Sequence, residues 1–210
     1  MAAKMIQSKE DYRFYMEADR VALAIDRKRP ALFQDEIWKF QRLLRRIEFF
    51  QNCNTPRLRQ IIYFQSRHSF RQLSVKLGFT IPPNVFGPGL SIAHRGAIVV
   101  NGEAKVGENC RISQCVTIGT STYAPGTTPC DLSPTIGNNV FIGPGAVIVG
   151  KIEIADGIAI GANSYVAKSF KESNITIAGC PARKVSNNGS RYCWHRATEI
   201  LRASRIVNSH

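Results

Sequence analysis

One histidine is placed where chemistry could be done. The chain has four, at positions 68, 94, 195 and 210, and His94 lies within Ser91-Ile92-Ala93-His94-Arg95-Gly96. Val100, Val106, Ile112 and Ile118 follow it at intervals of six, so counting back from Val100 puts an imidazole where the rhythm calls for an aliphatic. Two readings follow. In the first, His94 is structural and its ring nitrogens are paired, because an unpaired buried one costs on the order of 1–3 kcal/mol. In the second it is a general base. Imidazole titrates near neutral pH, and its neutral form can take the proton of a hydroxyl that attacks a thioester, for a gain of about 10²–10⁴-fold. The residues alone leave both open.

Other chemistries find less support. The six cysteines (53, 110, 115, 130, 180 and 193) form no CxxC pair and no metal-ligand spacing, so we expect no metal and read them as reduced thiols of a cytoplasmic protein. Cys110 takes the fifth, inward place of its hexad, and Cys115 and Cys130 have no neighbouring base, which disfavours a covalent acyl-enzyme. No GxxxxGK[ST] phosphate loop occurs.

The element that must hold His94 is a repeat. Ile136-Gly137-Asn138-Asn139-Val140-Phe141 is followed by hexads beginning at Ile142, Ile148, Ile154 and Ile160, each with a small or aliphatic residue in fifth place. A helix needs a period of 3.6 and a simple strand a period of 2. A period of six suits short strands joined by turns, each coil burying an aliphatic column and passing its backbone hydrogen bonds to the next. Glycine in second place is read as serving conformations other residues resist. The rhythm fails over 119–135, which hold Pro125, Gly126, Pro129 and Pro134 and no aliphatic at 124 or 130; we expect a loop over about 120–135 extruded between Ile118 and Ile136.

Residues 1–78 read as an α-helical region, 79–185 as the repeat domain, and 186–210 as a basic, helical tail. Ser8-Lys9-Glu10-Asp11 offers an N-cap with acidic residues in the first turn of a helix running to about Ile25, broken by Pro30. Leu32, Ile37, Phe40, Leu44 and Ile47 give a second helix. Thr55-Pro56 opens a third carrying Leu58, Ile61, Ile62, Phe64 and Leu73, and Gly78 stops it. The 210 residues carry a formal charge of +13, with basic residues such as Arg42, Arg45, Arg46, Arg67 and Arg71 scattered rather than in one run; that charge reads equally as a solvated face or as serving nucleic acid, an acidic membrane surface or anionic small molecules. No helix-turn-helix, zinc-finger or RNP pattern accompanies them, which argues against nucleic acid, and no apolar run reaches the roughly 18–20 residues of a membrane span. The start of the chain has no apolar signal core.

Three stretches carry a resemblance: Ile92-Ala93-His94-Arg95-Gly96, Ile112-Ser113-Gln114-Cys115-Val116-Thr117-Ile118-Gly119, and Ala178-Gly179-Cys180-Pro181-Ala182-Arg183-Lys184-Val185. With the hexads they resemble the hexapeptide-repeat acyltransferases, and within these the serine O-acetyltransferases and the capsule or polysaccharide O-acetyltransferases. The resemblance implies a left-handed parallel β-helix, mainly β with an N-terminal α-helical region, and direct acetyl transfer from acetyl-CoA, a co-substrate rather than a bound cofactor. It makes His94 the catalytic base. It places acetyl-CoA along Gly119, Thr120, Pro144 and Ala162, with Lys168, Arg183 and Lys184 on the nucleotide phosphates, in a groove shared by the subunits of a homo-oligomer, expected to be a trimer. Arg95, Asp131 and Ser133 become acceptor-binding positions. The sequence departs from the serine enzymes where they use an Asp before the histidine (Ala93), an Arg-His-Pro segment (Leu132-Ser133-Pro134) and a further Asp (Phe79). Those departures favour a carbohydrate hydroxyl, of a sugar or anionic capsule-type polysaccharide, with L-serine as the alternative acceptor and a non-catalytic assembly or glycan-binding module as a third reading. A γ-class carbonic anhydrase on this fold is rejected, because the repeat holds no set of zinc-binding histidines. Glu103, Asp131 or a backbone carbonyl are the candidates to orient His94.

Overall fold

The computed structural model describes residues 5–31, 33–53, 60–121, 132–191 and 193–207. Three helices come first: α1 (Lys9–Ala22), α2 (Glu36–Asn52) and α3 (Gln60–Leu77). Ser8 is extended and its hydroxyl accepts from the Asp11 N–H at 3.0 Å, satisfying an orphan donor of the first turn of α1. That helix stops at Ala22, well before Pro30, where Ala24 turns to φ +54°. Helix α2 buries Trp38, Phe40, Leu44 and Ile47. Leu32, Thr55, Pro56 and Leu58 lie outside the described residues. Ile61, Ile62 and Phe64 of the third helix are exposed, and α3 meets the core through Phe70, Leu73 and Leu77. Gly78, at φ +77°, ends it.

From Phe79 the chain coils. Its strands are β1 (Phe79–Thr80), β2 (Ser91–Ile92), β3 (Ile98–Val100), β4 (Lys105–Val106), β5 (Arg111–Ile112), β6 (Val116–Gly119), β7 (Thr135–Ile136), β8 (Phe141–Ile142), β9 (Val147–Val149), β10 (Glu153–Ile154), β11 (Ala159–Ile160), β12 (Tyr165–Val166), β13 (Thr176–Gly179) and β14 (Ala182–Ser186). They form three sheets, β1-β3-β6-β9-β12, β10-β7-β4 and β14-β13-β11-β8-β5-β2, parallel except for the closing β13–β14 hairpin. Each turn of chain adds one strand to each face of a three-sided coil. The expected column is the interior: Ile112, Ile118, Ile136, Ile142, Ile148, Ile154 and Ile160 are all no more than 2% exposed. Cys110 joins them, and burial pushes its thiol pKa up. Helix α4 (Ala197–Val207) follows the hairpin.

The hexad glycines have a different reason from the one expected. Gly107, Gly137, Gly143 and Gly161 do not adopt positive φ. They are small because the next coil is close: a Cβ on Gly143 would stand 2.7 Å from the Ile160 carbonyl oxygen, and one on Gly161 would stand 2.8 Å from the Ala178 Cβ.

The first coil has no preceding coil on its sheet-forming edge, and side chains of the helices take that role. Asp19 accepts from the N–H groups of Gly89 and Leu90 at 3.0 and 2.9 Å. Arg45 donates to the carbonyls of Phe86 and Gly87 at 2.8 and 2.7 Å. Gln41 donates to the Leu90 carbonyl at 2.6 Å and accepts from the Ile92 N–H at 3.4 Å. Arg45 is therefore not part of a solvated basic face. It is 0% exposed and paired with Asp19 and Glu48.

Candidate functional site

The turns that lead from the β2-containing sheet to the β3-containing sheet stack into one corner of the coil: residues 93–97, 113–115, 143–146 and 161–164. His94 is on the first of these turns and exposed. It does not occupy the aliphatic column. Ile92 does, opposite Ile112, and these two are 20 residues apart, whereas Val100 and Ile118 on the next face are 18 apart. The His94 turn is thus two residues longer than the one below it, and the count of six slips there. The imidazole is presented to solvent by a lengthened turn on a rigid strand.

Pro144 and Ala162 stack on the same corner, two and three coils below. With coils spaced about 4.8 Å apart, they lie roughly 10 and 15 Å along the axis from the His94 turn. Cys115, exposed at φ +59°, lies between. The other expected acetyl-CoA positions are not brought to that corner within one chain. Gly119 and Thr120 leave β6 at the far edge of the same sheet, where the Gly119 carbonyl accepts from the Gly150 N–H at 3.2 Å. Lys168 follows β12 on that edge, its Nζ 5.3 Å from the Phe170 ring centroid. Arg183 and Lys184 are on β14; Arg183 stands opposite Ala178, and Lys184 pairs with Glu172.

Of the expected acceptor groups, Arg95 lies beside His94 and reaches Glu36 Oε2 at 2.8 Å. Ser133 is buried at the other corner, donating to Asn101 Oδ1 at 3.1 Å. Asp131 lies outside the described residues. Glu103 shares Ser133's corner, the full length of β3 from the His94 turn, so it does not orient the ring. Among the described residues none hydrogen-bonds that ring, and no three His, Cys, Asp or Glu side chains cluster as metal ligands.

A cleft of about 230 Å³ opens between the start of α2 and residues 92–95, with Asp35, Glu36, Trp38, Ala93 and Arg95 in its walls, and His94 is not among them. Glu36 also pairs with Lys76 at 3.3 Å. Its own backbone N–H, then Lys76 and Arg95, hold its carboxyl below the usual carboxylate range. Sequence reasoning missed Glu36, Trp38 and Gln41. One signal was present: Gln41, Arg45 and Glu48 are spaced 4 and 3 apart, a polar stripe on the same helix that buries Phe40 and Leu44.

Residues 133–168 match the family model of the bacterial transferase hexapeptide, six repeats. The fold is a hexapeptide-repeat β-helix. The chain is 36% identical over 115 residues to a serine acetyltransferase of Synechococcus elongatus, covering 54% of this chain and 45% of that protein. It is 34% identical over 172 residues to one of Haemophilus influenzae, covering 79% of this chain and 60% of that protein. A crystal structure of serine acetyltransferase in complex with coenzyme A from Brucella abortus superposes with a TM-score of 0.65 at 26% identity, over 86% of this chain and 70% of that one. The chain spans about half the length of the curated relatives it matches.

These relatives overturn the expectation of a carbohydrate acceptor: they are serine acetyltransferases. Two of the three departures behind that expectation lie away from His94 within this chain, while Ala93 sits beside it. Phe79, taken to replace an acidic site residue, is 3% exposed and packs against Phe40 in the core. Ser133 is tied to Asn101 away from the His94 corner. Neither position bears on the groups that surround an acceptor beside His94 within this chain.

Proposed function

We propose that this chain is an acetyl-CoA-dependent serine O-acetyltransferase, with His94 as its general base. The observation that carries the reading is the corner itself: an exposed imidazole on a lengthened turn, with the small residues Pro144 and Ala162 stacked below it on the same edge. The similarity to serine acetyltransferases, one of them holding coenzyme A, supports it. In this reading His94 takes the proton of the serine hydroxyl as its oxygen attacks the thioester carbonyl carbon. The tetrahedral intermediate then expels the CoA thiolate, which recovers the proton from the imidazolium. No enzyme nucleophile is needed.

A homotrimer belongs to the same reading. Val99 on β3 and Tyr165 on β12, both on one sheet, are 47% and 40% exposed. Gly119, Thr120 and Lys168 line the edge of that sheet opposite Pro144 and Ala162. Packing one subunit's edge on the next would gather both sets in one groove. A sedimenting monomer at micromolar concentration would overturn it.

The test of activity follows thiol release from acetyl-CoA with L-serine. The chain should release CoA in proportion to O-acetylserine formed. His94→Ala should lose at least about 100-fold with its thermal midpoint unchanged. Absence of serine-dependent CoA release from the folded chain refutes the proposal.

A further inference from the structure

We infer that the cleft between helices α2 and α3 is a binding site for a phosphate monoester carried on an apolar body, gripped by Arg42 and Arg46 with Lys39 beside them. The inference goes beyond the acyl-transfer reading and does not depend on it.

Three observations converge on that cleft. The first is its lining. It measures about 350 Å³, with Leu43 of α2 and Leu73 of α3 as apolar walls and the Ser69 hydroxyl at its edge. Its charged residues are Lys39, Arg42 and Arg46, and among the described residues no Asp or Glu lines it. The second is how those cations are placed. They stand at i, i+3 and i+7 of α2, on one face of the helix and half-buried rather than held out in solvent. Like charges four residues apart on a helix repel, and Arg42 and Arg46 are such a pair. Burial, and then the charge of Arg46, pull the Arg42 guanidinium pKa below its ordinary value, with Tyr12 opposing. The third is what the two arginines lack. Elsewhere in the helical region Arg20 is held by Glu17, and Arg45 by Asp19 and Glu48. Among the described residues no carboxylate pairs with Arg42 or Arg46. Arg42 stands 5.6 Å from the centroid of the Trp38 ring, a contact that neutralises no charge. Lys39 feels Asp35 one turn back, so the uncompensated charge is that of the two guanidinia.

Two guanidinia with an ammonium beside them call for an anion of more than one charge. A phosphate monoester brings about −1.5 to −2 at neutral pH and three strong acceptor oxygens, in a geometry that the arginine fork matches. A carboxylate brings a single charge and two oxygens. The walls at Leu43 and Leu73 ask for an apolar body behind the phosphate. That chemistry has two sources, a free phosphorylated molecule and the headgroup of an anionic lipid. The face used is not the one that holds the first coil: Gln41, Arg45 and Glu48 lie on another side of α2. Substitutions in the cleft therefore leave that cap alone.

The experiment titrates the full chain calorimetrically, at fixed ionic strength, with phenyl phosphate, inorganic phosphate and benzoate. Alongside, it measures co-sedimentation with phosphatidylcholine vesicles, with and without phosphatidic acid. Phenyl phosphate should bind at least about tenfold more tightly than benzoate, and more tightly than inorganic phosphate because of the apolar walls. Arg42→Gln and Arg46→Gln should each weaken it at least about tenfold, the size of one charge-assisted contact, with the unfolding midpoint of the free chain and its serine-dependent CoA release unchanged. Arg71→Gln removes an equal charge from outside the cleft and should leave binding within about twofold. Arginine-dependent binding of phenyl phosphate supports the site with a free ligand. Arginine-dependent sedimentation confined to vesicles holding phosphatidic acid supports it with a lipid headgroup. Binding of neither, benzoate as tight as phenyl phosphate, or binding that survives both substitutions overturns the site. The expected binding pattern in a chain that releases no CoA with serine supports the site and sinks the acyl-transfer reading alone.

Discussion

Arg45→Met should cost this protein a large share of its stability, and the cost should depend on pH in a defined direction. Arg45 is 0% exposed and its guanidinium holds Asp19 at 2.8 Å, Glu48 at 3.0 Å and two carbonyls of the first coil. Methionine fills much of the volume but leaves two carboxylates, each 2% exposed, without their counter-charge. Breaking one side of a buried ionic cluster costs about 3–5 kcal/mol, against a total of about 5–15 kcal/mol for a domain. Burial already pushes the Glu48 carboxyl up even with Arg45 in place. In the variant, Glu48 loses the charge that opposes that push. A folded-state pKa above the unfolded one adds stability below the unfolded value and loses it as pH rises through the folded value. The deficit should therefore be greatest near pH 7 and shrink towards pH 5. Chemical denaturation followed by circular dichroism at both pH values reads it. Converting Asp19→Asn and Glu48→Gln in the same chain should recover most of the loss, because the amide oxygen introduced in place of the Asp19 carboxylate still faces the Gly89 and Leu90 N–H groups. A loss below about 1 kcal/mol at pH 7, or a deficit that grows on acidification, would refute the assignment of Arg45 as the cap of the first coil.

Ile142→Ala, at a 0% exposed position in the centre of the column, should destabilise by about 2–5 kcal/mol in the same assay. Gly143→Ala should cost about 1–3 kcal/mol and raise the KM for acetyl-CoA, since the added methyl meets the Ile160 carbonyl oxygen at 2.7 Å and the Ala162 nitrogen at 2.9 Å. Glu17, Asp35 and Glu36 are all held below their ordinary carboxyl pKa values, by Arg20, by the Ala31 N–H with Arg27, and by the Glu36 N–H with Lys76. Depressed folded values give stability that is present above about pH 4 and lost as pH falls through it, so the denaturation midpoint should drop between pH 6 and pH 3.5.

The periodic part of the fold was legible because every hexad meets the same environment. Ile at each first place and a small or aliphatic residue at each fifth could only be one interior seen again and again. What escaped was aperiodic. The count of six ran straight through His94 because a two-residue extension of a turn leaves no mark in composition; only the register of Ile92 on Ile112 reveals it. The glycines were seen but misexplained, since the sequence shows a missing side chain without showing whether the backbone or a neighbour requires its absence. Arg45 looked like one more surface charge among many. Its partners Asp19, Phe86 and Gly87 are 26 to 42 residues away, and no local pattern joins them. The cleft was missed for the same reason: Glu36 and Arg95 are 59 residues apart and meet only because the helices sit on the first coil.

The lengthened turn at 93–97 has a consequence for how such a scaffold acquires chemistry. Each corner of the coil is closed locally, between two short strands whose register is fixed by the coils above and below. Extra residues at one corner therefore change that corner and leave the columns untouched. The longer stretch of chain between Gly119 and Thr135, where the expected loop lies largely outside the described residues, makes the same point: Ile118 still faces Ile148 although they are 30 residues apart, where Ile148 and Val166 are 18 apart. Corner length is thus a free variable in a molecule whose faces allow almost none. A search for working residues in unfamiliar coils of this kind should begin where the count breaks, and an engineer wishing to add a side chain to the surface should lengthen a turn rather than edit a strand.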